Sequence, residues 1–171
     1  MFDALLLAYL AGIVDGEGSI SILPNQWRRK VLGRNPCYSE QVAVGNTNLE
    51  VLQLLKETFG GYIGIQKPRS EHRRQFYLWS VGDKGAIKVL DALIPYLRIK
   101  KRQAEFCLQL RAIKNRGRNV NTYLSEPVMR PTRWGLRLFR KRFLRPEVLE
   151  EYQCLARGCR ALNDSRFLDR C

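Results

Sequence analysis

Two carboxylates near the start of the chain stand where they could hold a divalent cation. Asp15 and Glu17 occur in the stretch LAGIVDGEGSI, Leu10–Ile20, directly after an apolar run and among three glycines. The negative end of a helix dipole disfavours an anion by about 0.3–1 kcal/mol, so such carboxylates need a cap, a basic partner or a cation. Glycines leave backbone carbonyls open, and carboxylate and carbonyl oxygens are ligands that Mg²⁺ prefers. A tight glycine-rich turn from a helix to a strand is the structural alternative.

The chain as a whole is strongly basic. Its 171 residues carry 30 Lys and Arg against 16 Asp and Glu, which gives a formal net charge of +14. Such a surplus indicates a polyanionic partner, most simply nucleic acid, with an anionic membrane surface as the alternative. Beside a basic nucleic-acid-binding surface, a metal ion held by one of these carboxylates would activate water and neutralise phosphate charge, which is the chemistry of phosphodiester hydrolysis.

Cysteine, histidine and hydropathy exclude other classes of protein. The 5 cysteines are scattered without a CxxC pair and the chain has 1 histidine, so neither a structural zinc site nor a disulfide framework is expected. The first apolar run lacks a preceding basic region and is too short to span a bilayer. We therefore expect no membrane partner and an intracellular protein, in the cytoplasm or nucleoid of a prokaryote or in an organelle that encodes it.

Periodicity and capping signals predict an α+β fold. Residues 4–14 read as an apolar helix with Asp3 as its N-cap, and Thr47 or Asn48 caps a second helix that Gly60 and Gly61 end. The order is αββαββα, with helices on one face of an antiparallel sheet. The predicted hairpins cover 19–45 and 62–81, and the later helices cover 47–61, 83–97, 98–118, 133–144 and 145–162, with a loop at 116–133. One domain, 1–171, is expected, with a core of about 4–112 and a C-terminal helical extension of about 116–171.

Basic and polar side chains on the hairpins are candidates for reading DNA. A twisted two-stranded ribbon fits the major groove, where Arg, Gln and Ser read base edges. A solvated sheet face with basic turns is the alternative. The candidates are Gln26, Arg28, Arg29, Lys30, Arg34, Ser39 and Gln41 on the first hairpin, Gln66, Lys67, Arg69, Arg73, Gln75 and Tyr77 on the second, and Arg98 and Arg102 beyond them.

The stretch LAGIVDGEG resembles the LAGLIDADG signature of homing endonucleases. The predicted ββαββα pattern follows it, and the resemblance covers about 4–112 and resumes at ALNDSR, 161–166, which adds Ser165 and Arg166 to the DNA-binding candidates. It implies the αββαββα LAGLIDADG homing endonuclease fold, with a saddle of antiparallel strands on double-stranded DNA. The positions that match the fixed or acidic residues of the motif are Leu10, Ala11, Gly12, Asp15, Gly16, Glu17 and Gly18.

The resemblance also implies which residues act. Glu17 stands at the family's metal ligand, with the carbonyl of Gly16 beside it, and Mg²⁺ is the implied cofactor with Mn²⁺ as its expected substitute. Lys100 is the best match for a basic residue near the scissile phosphate. Asp15 is counted with Glu17 and Lys100 as a candidate catalytic residue, although it looks more like a helix-end and interface residue.

The end of the second predicted strand departs from the family. Members often place polar side chains there to order the attacking water. Direct alignment puts Val44 at this position, and Asn46 is the alternative.

The presence of one motif implies two copies of the chain. Cutting both DNA strands needs two active sites, so two chains must pair through their motif helices. Small residues let helix backbones come close, which makes Ala8, Ala11 and Gly12 the expected interface. The leading hypothesis is therefore a homodimeric, metal-dependent endonuclease that cuts a long pseudo-palindromic site. The alternatives are an RNA maturase of the same family that assists intron splicing, and a DNA-binding protein that has lost catalysis.

Overall fold

Four antiparallel strands form one sheet. The computed structural model describes residues 3–25, 36–66 and 74–164. The strands are β1 (Gly18–Asn25), β2 (Cys37–Asn46), β3 (Tyr62–Gln66) and β4 (Phe76–Gly82). Their order across the sheet is β1-β2-β4-β3. Both predicted hairpins are confirmed, and β2 joins them by pairing with β4.

Helices cover one face of this sheet. They are α1 (Ala4–Glu17), α2 (Leu49–Phe59), α3 (Asp83–Leu93) and α4 (Lys101–Asn115). Asp3 and Asn48 are the N-caps of α1 and α2, as predicted, and Gly60 ends α2 with a φ of 76°. The α+β class and the order αββαββα are confirmed. None of the helices within the described ranges has the length and apolar content needed to cross a bilayer.

Side-chain alternation along the strands separates a buried face from an open one. In β2, Tyr38, Glu40, Val42 and Val44 are buried, while the residues between them are partly exposed. The register sets Val44 opposite Trp79, and both are fully buried on the helix side. Residues of the opposite parity therefore line a face that no described helix covers.

A buried charge fastens α4 to the middle of the sheet. Glu40 is fully buried, and its Oε2 accepts hydrogen bonds from Arg111 at 2.7 Å and from Lys114 at 2.8 Å. Removing one partner of a buried ion pair typically costs about 3–5 kcal/mol, because the remaining charge loses its compensation. The pairing of Glu40 with two cations of α4 thus holds that helix in place against β2.

The C-terminal region differs from the predicted helical extension. It contains a short helix α5 (Arg118–Asn121), strands β5 (Thr122–Leu124), β6 (Val128–Thr132), β7 (Gly135–Phe139) and β8 (Arg142–Leu144), and one long helix, α6 (Pro146–Asn163). The helix predicted over 133–144 is wrong. Leu136 and Leu138 alternate with Arg137 and Phe139 at the period of a strand, and Gly135 takes a φ of 100° in the turn before them. The helix predicted over 145–162 is confirmed as α6.

Helix α6 covers the free edge of β1. Val148, Tyr152 and Cys159 are buried along one side of the helix. The Cys159 thiol and the Asn163 amide both donate to the carbonyl oxygen of Ile20, at 3.4 Å and 2.8 Å. An edge strand normally leaves backbone groups unpaired. Helix α6 therefore supplies hydrogen-bond donors to a backbone carbonyl on the free edge of β1, the strand that follows α1.

Candidate active site

The two carboxylates of the motif point in different directions. Helix α1 continues past the predicted end to Glu17, so positions 15 and 17 are both helical and lie about 200° apart around its axis. Asp15 is 8% exposed, whereas Glu17 is exposed. The helix then turns directly into β1 at Gly18, where a Cβ would lie 2.6 Å from the carbonyl oxygen of Val14. The glycine at 18 is required by this close approach.

Asp15 caps a turn that is distant in sequence. Its Oδ2 accepts hydrogen bonds from the N–H groups of Arg98 at 2.7 Å and Ile99 at 3.2 Å, and its Oδ1 accepts one from the N–H of Lys100 at 2.9 Å. Helix α4 starts directly after this turn and has no side-chain cap of its own. Asp15 therefore satisfies backbone donors at the start of α4, which is the task of an N-cap.

The hydrogen bonds also set the charge state of Asp15. Burial by itself raises the pKa of this carboxyl, but the backbone N–H groups of Arg98, Lys100 and Ile99, together with the Lys100 charge, outweigh burial and lower it. The carboxylate is thus ionised, and both of its oxygens accept hydrogen bonds from the protein. The expectation that Asp15 is catalytic is corrected here: the side chain faces inward and positions the turn, because its oxygens are already occupied by backbone donors.

Lys100 lies at the end of the motif helix. Its Nζ donates a hydrogen bond to the carbonyl oxygen of Asp15, two residues before Glu17. A cation is favoured there, since the C-terminal end of a helix carries partial negative charge. Asp15 and Lys100 therefore make two contacts: the Asp15 side chain accepts the Lys100 N–H, and the Lys100 ammonium donates to the Asp15 carbonyl. Together these contacts fix Lys100 against the end of α1.

Glu17 offers an unoccupied carboxylate. Within the described ranges, its side chain has no hydrogen bond or ion pair, and no three His, Cys, Asp or Glu residues cluster closely enough to bind a metal ion by themselves. Gly16 beside it is also exposed. Mg²⁺ commonly uses one or two carboxylates, several waters and substrate phosphates. The Glu17 carboxylate and the Gly16 carbonyl fit this pattern as the protein's part of the ligand set. Water, substrate phosphate or a second chain would supply the remaining ligands.

An apolar stripe runs along the outer side of α1. Leu5 is 79% exposed and Tyr9 is 51% exposed, and Ala8 and Gly12 lie exposed beside them. A Cβ added at Gly12 would meet nothing within 4 Å. Ala8 and Gly12 thus lie on a surface that another helix can approach. Ala11 does not, because it is fully buried within the chain, and its assignment to an interface is corrected.

Polar residues of the open sheet face form a candidate nucleic-acid surface. Of the predicted residues, Ser39, Gln41 and Gln66 lie on it. Side chains alternate between the two faces of a sheet, and these three have the opposite alternation to Val44 and Trp79, which face the helices. Sequence reasoning missed Ser19 and Ser21, which share this face because Ile20 and Ile22 between them are buried. Besides glycines, the residues with described side chains that the strands place there are Ser19, Ser21, Leu23, Cys37, Ser39, Gln41, Ala43, Tyr62, Gln66, Phe76, Leu78 and Ser80.

Two predicted residues of the second hairpin do not belong to the open face. Tyr77 has the parity of the buried Trp79 and packs on the core side, opposite Asn46 in the register. Gln75 precedes β4, and its Nε2 donates to the carbonyl oxygens of Gln66 and Phe76 at 2.8 Å and 3.2 Å. The assignment of Tyr77 to DNA contact is therefore corrected, and the Gln75 amide is engaged within its own hairpin.

The other predicted contacts divide into exposed residues and residues outside the described ranges. Arg98 and Arg102 are exposed on either side of Lys100, and Arg102 pairs with Glu105 at 3.5 Å. The predicted residues that lie outside the described ranges are Gln26, Arg28, Arg29, Lys30, Arg34, Lys67, Arg69, Arg73, Ser165 and Arg166.

The end of β2 offers one polar side chain near the motif. Val44 is fully buried opposite Trp79 and cannot contact a substrate water. Asn46 ends the strand half-buried, and its Oδ1 accepts the N–H of Asn48 at 2.9 Å. Of the two residues considered at this position, only Asn46 has a polar group outside the core.

Comparison with known proteins gives one family and one fold. The family model described as LAGLIDADG endonuclease matches residues 10–115. The homing endonuclease I-CvuI, solved with an I-CreI target, is 21% identical with a TM-score of 0.64, covering 94% of this chain and 83% of that chain. The archaeal intron-encoded homing endonuclease I-Vdi141I, solved with DNA, is 18% identical with a TM-score of 0.63, covering 94% and 86%. A sequence search of the curated proteins finds no match.

The two motif carboxylates should respond differently to neutralisation. Asp15→Asn should lower the free energy of unfolding at pH 7 by about 1–3 kcal/mol, because a charged acceptor of three backbone N–H groups is lost. The folded-state pKa of Asp15 is depressed, so its contribution is present above its ordinary value of 3.8 and is lost as pH falls through the folded-state value. Urea unfolding between pH 2 and 7 measures both effects.

Glu17→Gln is the matched control for this measurement. It removes the same charge from the same helix end, yet the exposed side chain should change stability by less than about 0.5 kcal/mol. Equal losses for both variants at pH 7 would contradict the assignment of Asp15 as the cap of the turn.

Proposed function

Because the chain belongs to the LAGLIDADG endonuclease family, we propose that it is a homing endonuclease that makes a double-strand break in a long pseudo-palindromic DNA site. It acts as a homodimer and depends on a divalent metal ion, Mg²⁺ with Mn²⁺ as its substitute. The observation that carries the proposal is the end of α1, where Glu17 is exposed and has no ion pair within the described ranges, and where the Lys100 Nζ donates to the carbonyl oxygen of Asp15. I-CvuI was solved with DNA in 2 mM Mg, with the DNA not cleaved, and in 2 mM Ca, and these complexes support the DNA-binding part of the proposal by analogy.

The Glu17 carboxylate and the Gly16 carbonyl are the groups that would hold the metal ion. When bound, a divalent ion lowers the pKa of a coordinated water and neutralises phosphate charge. Glu17 is suited to this task because its carboxylate accepts no hydrogen bond and forms no ion pair within the described part of the chain. Asp15 is not, because the Arg98–Lys100 turn occupies both of its oxygens.

Lys100 supplies positive charge where phosphate charge grows. Its Nζ lies against the Asp15 carbonyl, and its backbone is anchored by the Asp15 side chain, so the ammonium is held from two directions. A preorganised cation stabilises a developing oxyanion without having to be reoriented during the reaction. Asn46, at the open end of β2, is the candidate for orienting the attacking water.

The open sheet face is the proposed DNA-reading surface. Its Ser and Gln side chains are donors and acceptors for base edges, and the formal charge of +14 attracts phosphates. The Glu17 end of α1 leads directly into β1 of this sheet, which supports a position of the reacting phosphate at one end of the reading surface. Bases away from the cut would then be contacted progressively along the strands.

The exposed stripe of α1 is the proposed dimer interface. Leu5 and Tyr9 would be covered by the same surface of a second chain, and Gly12 allows the backbones to approach. Pairing along α1 brings the two Glu17 residues close to the two-fold axis. The repulsion between the two Glu17 carboxylates would be reduced by a bound cation, which would favour metal binding by these residues.

The central test is cleavage of duplex DNA. From a randomised duplex pool enriched for binding, we expect wild-type protein with Mg²⁺ to release ends that map to one near-palindromic site, and to release none in EDTA. Glu17→Gln should retain binding but lose at least about 100-fold in cleavage rate, because the metal-binding carboxylate is gone. Glu57→Gln, an exposed change on α2, is the matched control. Near-normal cleavage by Glu17→Gln, or binding of structured RNA with no DNA cleavage by wild type, would contradict the proposal.

The dimer has its own test. A Cβ at position 12 meets no described atom within 4 Å, and Leu has a better helix propensity than Gly, so the Gly12→Leu monomer should stay folded. We expect sedimentation at micromolar concentration to show a dimer for wild type and a monomer for Gly12→Leu, with loss of double-strand cleavage. Ala112→Leu, an exposed change on α4, should remain dimeric. A monomeric wild type, with and without DNA, would contradict the proposed pairing.

A further inference from the structure

A two-stranded arm projects from the C-terminal region. We define the arm as residues 122–144: β5 pairs with β8 at its base, and β6 pairs with β7 at its tip. The Ser125 N–H donates to the Lys141 carbonyl between the two halves at 2.7 Å. All five residues of β7 and four of the five of β6 are exposed. The tip of the arm is therefore a ribbon with solvent on both faces.

Charge on the arm is positive except at Glu126. Between Glu126 and Glu147 every ionisable side chain is a base. The register sets Arg130 directly opposite Arg137 on the same face, and neither has an ion pair within the described ranges. Like charges directly opposite each other destabilise a strand pair. The two arginines thus destabilise the ribbon in the free protein, and a bound anion would relieve their repulsion. The bases are Arg130, Arg133, Arg137, Arg140, Lys141, Arg142 and Arg145.

The other face of the ribbon is apolar. The register places Met129 opposite Leu138 and Pro131 opposite Leu136, and the three non-proline side chains are 54%, 59% and 67% exposed, in the order Met129, Leu138, Leu136. Trp134 at the turn is 78% exposed, with the Arg133 guanidinium 5.5 Å from its ring centroid. Contiguous exposed apolar side chains mark binding surfaces, and a lone hairpin is marginally stable in water. A partner that contacts both faces would neutralise the arginines on one face and bury the apolar side chains on the other.

The base of the arm lies at the end of the sheet away from Glu17. A cavity of about 630 Å³ is lined jointly by Cys37 and Tyr38 at the start of β2 and by Arg142 and Phe143 at the base of the arm. The start of β2 pairs with the end of β1, whereas Glu17 directly precedes β1. The eight residues of β1 span roughly 25 Å. In a dimer paired through α1, the two arms would therefore lie towards the outer ends of the complex.

We propose that the arm lies in a groove of the double-stranded DNA that flanks the cut site, an inference that rests on the proposed function. Arg130 and Arg137 neutralise phosphates of the groove wall, and the apolar face meets sugars and base edges. Two-stranded ribbons enter DNA grooves, and Met, Leu and Pro are among the side chains that contact or wedge base steps there. The arm thus lengthens the DNA contact beyond the four-stranded sheet.

Salt dependence of DNA affinity tests the proposal. The probe is a 60-bp duplex of mixed sequence, bound by full-length protein at several salt concentrations. Arg130→Gln/Arg137→Gln should make the slope of log affinity against log salt shallower by roughly 2, because each lost phosphate contact removes about 0.9. Lys56→Gln/Lys88→Gln removes the same charge from exposed positions on α2 and α3, behind the sheet, and should leave the slope unchanged.

A second variant measures reach. Replacing 128–139 with Gly-Gly, with folding checked by circular dichroism, should shorten the hydroxyl-radical footprint at both ends on a duplex that carries the site cut by the wild-type protein, while the centre is still protected. An unchanged slope and footprint in a protein that still binds and cuts DNA would overturn the arm proposal and leave the proposed function intact. A slope change with duplex RNA alone, or a change only in self-association, would also overturn it. Wild-type protein that binds no DNA would instead overturn the proposed function itself.

Discussion

The site depends on the carboxylate of Asp15, which accepts three backbone N–H groups from the turn before α4. The donors and the acceptor are more than 80 residues apart in sequence. This contact fixes the end of the motif helix against the start of α4, and the paired Glu40 holds α4 to the sheet farther along its length. Lys100 and Glu17 therefore occupy defined positions relative to each other and to β1. A charged acceptor is apt here, because hydrogen bonds to ionised groups are the strong ones.

The motif gives its two acidic residues opposite tasks by turning them to opposite sides of one helix. Asp15 is directed into the protein, where its charge stabilises the turn before α4, and Glu17 is directed out, where its charge would be available to the proposed metal ion. The same helix presents the exposed stripe of Leu5, Tyr9 and Gly12. In the proposed dimer, one short segment thus supplies the interface, the metal ligand and the anchor of the catalytic cation. The sheet and the arm would carry DNA contact outward from this centre on both sides.

Local signals in the sequence were sufficient for the order αββαββα of the first seven elements but not for the direction of side chains. Asp3, Asn48 and Gly60 mark helix ends through their own backbone chemistry, so they were predictable. The side of β4 that faces the core was not predictable, because Tyr77 and Trp79 are as apolar as Phe76 and Leu78. The pairing of Trp79 with the buried Val44 identifies the core side. Helix α1 is apolar on nearly every side, and periodicity therefore could not tell the buried Ala11 from the exposed Ala8.

Two further features arise from contacts between distant segments. The capping role of Asp15 depends on the Arg98–Lys100 turn, which no spacing within the motif can reveal. The stretch 133–144 mixes Leu, Phe and Arg so evenly that both helical and strand periods fit it, and the pairing of β6 with β7 resolves the choice. The motif, in contrast, was readable from sequence because its glycines and carboxylates are adjacent in the chain.

The most direct measurement uses mixed dimers on a plasmid that carries a site cut by the wild-type protein. One chain is wild type and the other Glu17→Gln, with different affinity tags so that only the mixed species is isolated. If each Glu17 serves the cleavage of one strand across a two-fold axis, the mixed dimer converts supercoiled plasmid to nicked circles and stops there. Formation of linear plasmid at the wild-type rate would contradict the account.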